Sequence, residues 1–329
     1  EPGTPDGVFP FTKNYPKNRF GLAQWVVDSR NPLTARVEVN RIWKMHFGRG
    51  LVATPEDFGS QGQLPSHPEL LDWLAKNFVE SGWDLKKLHR LIVTSATYRQ
   101  SSVASADALA ADPENRLLAR GPKQRLQGEE IRDEALAVSG LLSSKLGGPS
   151  VKPYQPAGLW EQSGTGKSYA QDTGENLYRR SLYTFRRRTS PPPTMLIFDG
   201  TSREVCTARR ETTTTPLQAL VLLNDPQFIE AGRVLAEKLM SEKTNDVDGW
   251  IQEAFRRVIG RPPQAKEQKI LGKLYHEQVA TFEGSRESAD QYLKIGERPR
   301  DPKLPVENLA ALSIVVNTLM NYDEFVMRR

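Results

Sequence analysis

Cysteine is nearly absent from this chain. Cys206 is the whole complement in 329 residues, which excludes an internal disulfide, a zinc site built on cysteine pairs, and covalent haem attachment through C-x-x-C-H. Histidine is almost as scarce. His46, His67, His89 and His276 are scattered, with no H-x-x-x-H or H-x-H spacing, so neither a metal centre nor a cofactor is expected in this chain. No apolar run approaches the roughly 20 residues needed to cross a bilayer, and no membrane span is expected. Charge of one sign is not in large excess either. Lys+Arg number 45 against 40 Asp+Glu, a net charge of +5, which falls short of a dedicated nucleic-acid binder. The opening EPGTPDGVFPFTKNYPKN lacks the basic start and apolar centre of a signal peptide and reads as a linker.

What is present in excess is arginine, and in one place. Between Arg179 and Asp225 the chain holds eight arginines, the cysteine, the proline triplet 191–193 and a threonine run. Guanidinium groups this dense repel one another unless anions are interleaved. Carboxylates within the stretch are few, mainly Asp199, Glu204 and Glu211. Two readings follow. Arginines such as Arg203, Arg209 and Arg210 lock the loop to acidic side chains on neighbouring helices, or Arg186, Arg188, Arg203, Arg209 and Arg210 present an anion-binding surface.

The rest of the chain is helical by pattern. Asn18 can cap a helix through FGLAQWVVD; Asn31-Pro32 opens LTARVEVNRIWKMHFG, with Val39, Ile42, Trp43 and Phe47 at helical spacing; Ser66 and Glu69 form a capping box ahead of LLDWLAKNFVES. Asp84 caps the next helix, and a long one is expected from Gln127 to Leu146, stopped by Gly147-Gly148-Pro149. Composition shifts at Ser150 to a Gly/Ser/Pro-rich excursion that runs to about Gly174. LYRRSLYTFRRR then alternates as one or two short strands, and TMLIFD reads as a helical turn. Helices are expected again after Thr215-Pro216, Pro226 and Asp246, over QAKEQKILGKLYHEQVATF, and, beyond a polar patch at 284–305, over VENLAALSIVVNTLMN. The fold class is mainly α, with a small β element near 178–188. The expected parts are a linker (1–17), an N-terminal helical part (18–149), a middle part carrying the loop and the arginines (150–245) and a C-terminal helical part (246–329).

Most motifs dissolve on inspection. GTGKS at 164–168 lacks the P-loop's first glycine, because position 161 is Glu161, and no apolar strand precedes it. Cys206-Thr207-Ala208-Arg209-Arg210 fits the loose C-x-[PA]-x-R pattern of sulfatases but has no aspartate-built calcium site on an α/β sheet to serve it. Cys206 as a nucleophile needs a histidine partner that the sequence cannot place. Asp199 and Glu204, with His46 as a third candidate, are the available acid–base groups. Among the tryptophans, Trp25, Trp43 and Trp73 lie on apolar helix faces and are expected in the core, whereas Trp160, in the irregular PAGLWEQ stretch, is the candidate for a ligand contact. Tyr183 and Phe185 among the arginines would suit stacking on nucleic acid, yet a half-buried strand explains them equally well.

The stretches NPLTARVEVNRIWKMHFGRGLVATPEDFGSQGQLPSHPELLDWLA, GWDLKKLHRLIVTSATYRQSS and RRSLYTFRRRTSPPPTMLIFD, with Arg209 to Leu220, resemble the DUF1553 (PSD1) family over about residues 18 to 240. The resemblance implies the C-terminal domain of large exported proteins of planctomycetes and related bacteria. Such domains follow a DUF1549 domain, often with a cytochrome c-like domain, so those domains are the expected partners and any redox cofactor would belong to them. The implied location is periplasmic, cell-surface or extracellular. The family supplies no catalytic residues. The leading expectation is a docking or binding module that uses the arginine-rich segment; the alternative is an enzyme acting on an anionic polysaccharide, sulfated or uronic.

Overall fold

The computed structural model describes residues 4, 8–164, 166–242 and 246–328. Most of the first seven positions of the lead-in, and Thr165 of the GTGKS turn, lie outside the described residues. The chain forms two compact units, residues 1–124 and 125–328. Fifteen α-helices, two 3₁₀ turns (Gly174–Tyr178 and Ser181–Tyr183) and one two-stranded pairing, β1 (Gln124–Arg125) with β2 (Met327–Arg328), account for its regular structure among the described residues, so the mainly α class holds.

The first unit is built on α1 (Arg19–Val26), α2 (Thr34–Phe47), α3 (Pro68–Glu80), α4 (Leu85–Val93) and the short α5 (Ala106–Ala111). Asn18 Oδ1 accepts from the amides of Phe20 and Gly21, and Asp84 caps α4 through the Lys87 amide. The apolar stripes of α2, α3 and α4 meet in one core through Val39, Ile42, Trp43, Leu71, Leu74, Phe78, Leu88 and Ile92. Buried Asn40 holds the loop after α2 against it, accepting from Val52 N at 2.8 Å and donating to Val52 O at 3.0 Å. Three local expectations fail here. The N-cap of α3 is His67, and Ser66 turns away to donate to Leu51 O at 3.3 Å, so no capping box forms. Trp73 stands 54% exposed on α3 instead of in the core, and Trp25 on α1 is only half-buried, outside the core cluster.

The second unit contains α6 (Gly128–Ser139), α7 (Leu159–Gln162), α8 (Pro193–Ile197), α9 (Pro216–Asn224), α10 (Pro226–Ser241), α11 (Val247–Ile259), α12 (Ala265–Glu283), α13 (Arg286–Leu293), α14 (Val306–Leu319) and α15 (Asp323–Val326). At its centre α10, buried on nearly every side, packs against α14, α6 and α11. The helix expected to run to Leu146 stops at Ser139, because Gly140 takes a left-handed conformation (φ 71°) and closes the helix as its C-cap. The segment 178–188 contributes isolated bridges, Ser143 with Arg179 and Val151 with Thr184, around a 3₁₀ turn at Ser181–Tyr183, while the two-stranded pairing lies at 124–125 and 327–328. Strand alternation breaks because Arg179 turns into the core and Asp133 captures the Ser181 amide at 2.7 Å.

Candidate anion-binding segment

The arginines of 179–210 divide by what they touch. Arg179 is buried (1% exposed), lies over the Tyr183 ring at 3.8 Å and donates to the carbonyls of Pro149 (3.1 Å), Lys145 (3.3 Å) and Gly147. It therefore ties down the loop that follows α6. Arg180 faces Asp133 at 3.7 Å. Arg210 makes a forked pair with Glu129 of α6, at 2.8 and 3.1 Å. Burial alone would raise the Glu129 carboxyl, but the Arg210 hydrogen bonds and the neighbouring cations hold it below its ordinary value. These three arginines each meet partners within the chain itself. Arg132 of α6, from outside the arginine-rich stretch, reinforces them: buried, it donates to Leu177 O (2.7 Å), Arg179 O (2.8 Å) and Gln227. Burial pulls Arg132 down to about 10, still high enough to keep it cationic at neutral pH.

A second group has no such partners. Arg188, Arg203 and Arg209 are exposed and enter no ion pair among the described residues. Arg186 is half-buried; one nitrogen donates to Thr201 O, while Nε and Nη1 are enclosed with no partner. Burial pushes this guanidinium down, Arg203 and Arg210 push it further, and Glu129 alone acts against them. Arg187 does not belong to this group; it has further contacts and lies over the Trp160 ring at 4.7 Å.

The remaining candidates are placed as follows. Asp199, itself left-handed (φ 61°), accepts from the Thr213 amide at 2.7 Å and its hydroxyl at 2.9 Å, so it pins the threonine run ahead of α9. Glu204 and Cys206 are exposed in the same loop. Trp160 is 7% exposed, wedged between Tyr169 (5.1 Å between centroids) and Phe185 (5.7 Å), so its ring offers no open face. His46 belongs to the first unit, where its Nε2 meets His89 Nδ1 at 2.8 Å beside Tyr98. No group of three or more His, Cys, Asp or Glu among the described residues could hold a metal ion. No helix among them is long and apolar enough to cross a membrane.

Sequence reasoning missed a polar network inside α10. Glu230, wholly buried, accepts from Tyr154 and Tyr178 hydroxyls at 3.0 Å each and from the Arg298 amide at 2.7 Å. Arg233 lies 3.8 Å from Glu230 and 2.6 Å from Glu237. Burial, then the Glu230 charge, pushes both tyrosine hydroxyls up. The signal was legible as E-x-x-R-x-x-x-E in FIEAGRVLAEKLM, where Glu230, Arg233 and Glu237, followed by Lys238, interrupt a mostly apolar helix.

The PSD1 family, described as a protein of unknown function (DUF1553), matches residues 18–275, well over half of the chain. The chain belongs to this family. The match spans α1 to α11 and part of α12, and so takes in both the paired and the unpaired arginines. No curated protein and no solved structure matches the chain.

Proposed function

We propose that this chain is a binding module that captures anionic groups on the loop carrying Arg186, Arg188, Arg203 and Arg209. The supporting observation is Arg186. Two of its nitrogens lack acceptors while Arg203 and Arg210 crowd the same space, and Glu129 is already held in a forked pair by Arg210. A sulfate, phosphate or carboxylate group would answer both the charge and the missing acceptors. In this reading the module works outside the cytoplasm, beside DUF1549-like and cytochrome c-like domains of one larger protein, and holds no cofactor of its own. Sulfated or uronic polysaccharide is the ligand class to try first.

The experiment is a thermal-shift and calorimetric screen against sulfated and uronic oligosaccharides, with Arg203→Ala and Arg209→Ala as variants. Both side chains are exposed, so the variants should keep the wild-type melting temperature. Binding that weakens with salt and is lost in the variants supports the reading; binding unchanged in both defeats it. An enzyme acting on such a polysaccharide is the second reading. Glu204 favours it, as an exposed carboxylate in the same loop with no ion pair among the described residues, whereas Asp199 is committed to Thr213. Release of new chain ends from any ligand that binds, abolished by Glu204→Gln, would establish that activity.

A further inference from the structure

Helix α9 is apolar on both sides, yet only one side is covered. Gln218 and Leu222 face inward at 1% and 2% exposure, whereas Leu217, Leu220 and Leu223 are 53%, 54% and 41% exposed. The three leucines recur every third residue, so they form one ridge along the outside of the helix. The helix is firmly seated beneath them. Thr215 and Gln218 open it with a capping box, Gln218 also donates to Ile197 O at 2.9 Å, and Asn317 and Asn321 donate to Leu222 O and Ala219 O at 3.0 and 3.1 Å. Leu196, on α8, which packs against α9, is also 41% exposed. An ordered helix that turns a leucine ridge outward is a surface awaiting a partner.

Two features say what kind of partner. The ridge is small: a few half-exposed leucines offer roughly 300 Å², against the roughly 800 Å² per side of a stable protein interface. A second copy would also bring its own arginines against these. The segment 199–215, which leads into α9, carries Arg203, Arg209 and Arg210, and Arg125 donates to Thr214 at 3.2 Å beside the first turn. Counter-charges are present but do not cancel the field. Glu129 is paired by Arg210; Asp199, which keeps its charge although Thr213 holds it, and exposed Glu204 and Glu211 stand against Arg125, Arg186 and exposed Arg188, Arg203 and Arg209, three carboxylates against five cations. We propose that the outer face of α9 and the arginine loop form a single docking surface for a short amphipathic helix, leucine-rich on one side and acidic at its rim. A helix fits because a ridge at this spacing seats between the side-chain rows of another helix, as in groove-bound helical peptides. The proposal rests on the anion-binding reading for its rim alone; the leucine ridge is independent of it.

The test is fluorescence anisotropy of a labelled helical peptide of leucine and glutamate, kept below its self-association range, titrated with the whole chain. Two control peptides carry serine for leucine, or lysine for glutamate. The expected result is saturable binding of the first peptide only. It should weaken about tenfold or more in Leu220→Ser, as burial of one leucine implies, and weaken with salt and in Arg209→Ala. Equal binding of the serine peptide would overturn the docking surface and leave only an anion site. Equal binding of the lysine peptide would overturn the acidic rim, and absence of binding would overturn the whole proposal. A chain that sediments as a dimer and becomes monomeric in Leu220→Ser would assign the ridge to a second copy instead, which also overturns it. Oligosaccharide binding should be untouched by Leu220→Ser, so failure of the anion reading and failure of the docking surface give different results.

Discussion

Two arginine-bearing regions of the second unit answer the same electrostatic problem in opposite ways. In α10, Arg233 is wholly buried between Glu230 and Glu237, and the two tyrosines and the Arg298 amide complete the acceptor sites of Glu230. In the loop at 186–210, exposed Arg203 and half-buried Arg210 crowd Arg186, two of whose nitrogens find no acceptor. Taking a charge out of water costs several kcal/mol and is sustained only by near-complete pairing. The α10 network comes close to that condition, with both terminal nitrogens of Arg233 held and only its Nε without a partner. The loop leaves its arginines in solvent, where they cost little and remain available to an incoming anion.

The largest test of this contrast is Arg233→Ala. It leaves two buried carboxylates without their cation, and a loss of about 3–5 kcal/mol is expected in denaturant unfolding. A loss below about 1 kcal/mol would mean that the network is not a determinant of the fold. Next comes Gly296→Ala. Gly296 has φ +96°, and an added Cβ would stand 2.5 Å from the Glu230 carboxyl carbon. Strain and displacement of the acceptor should together cost about 1–3 kcal/mol, and the Tyr154 and Tyr178 hydroxyls should show the disturbance by NMR.

Glu134 on α6 sharpens the comparison from a third position, because it is a half-buried carboxylate with no ion pair among the described residues. Burial, helped by Glu130, raises its value from 4.5 to about 7. The folded state then binds more protons than the unfolded state between those two values, so this group's contribution is fully present below pH 4.5, falls as pH rises, and is gone above 7. Relative to Glu134→Gln, the wild type should lose melting temperature steadily across that window and no further above it. A gap that does not vary with pH would show that Glu134 titrates at its ordinary value.

How much of this was readable in advance follows from the range of each signal. Caps are local, and Asn18, Asp84, Thr215 and Asp246 all cap as their sequence positions suggest. Helix α13 is not legible in the sequence because RESADQYL buries only Ala289 and Leu293 and so shows almost no apolar stripe. The end of α6 was misplaced because Gly140 sits inside an apolar run and only its left-handed backbone reveals a stop. The arginines could be counted but not sorted. Glu129, which claims Arg210, lies 81 residues away, and nothing near Arg203 or Arg209 in sequence distinguishes them from Arg210. The outward leucines of α9 were equally hidden, since an apolar helix reads as buried until its neighbours are known.

The smallest expected effect on stability is also the most discriminating one for function. Arg203→Ala and Arg209→Ala remove exposed cations and should move unfolding free energy by no more than about 0.5 kcal/mol, while Arg210→Ala, which breaks the forked pair to half-buried Glu129, should cost about 1 kcal/mol. If Arg203 and Arg209 are reserved for a ligand, their removal should lower anion affinity with no stability penalty, whereas Arg210→Ala should lower both. A set in which all three lose stability equally and none loses affinity would make the whole segment structural, and would remove the distinction between the loop and the α10 network.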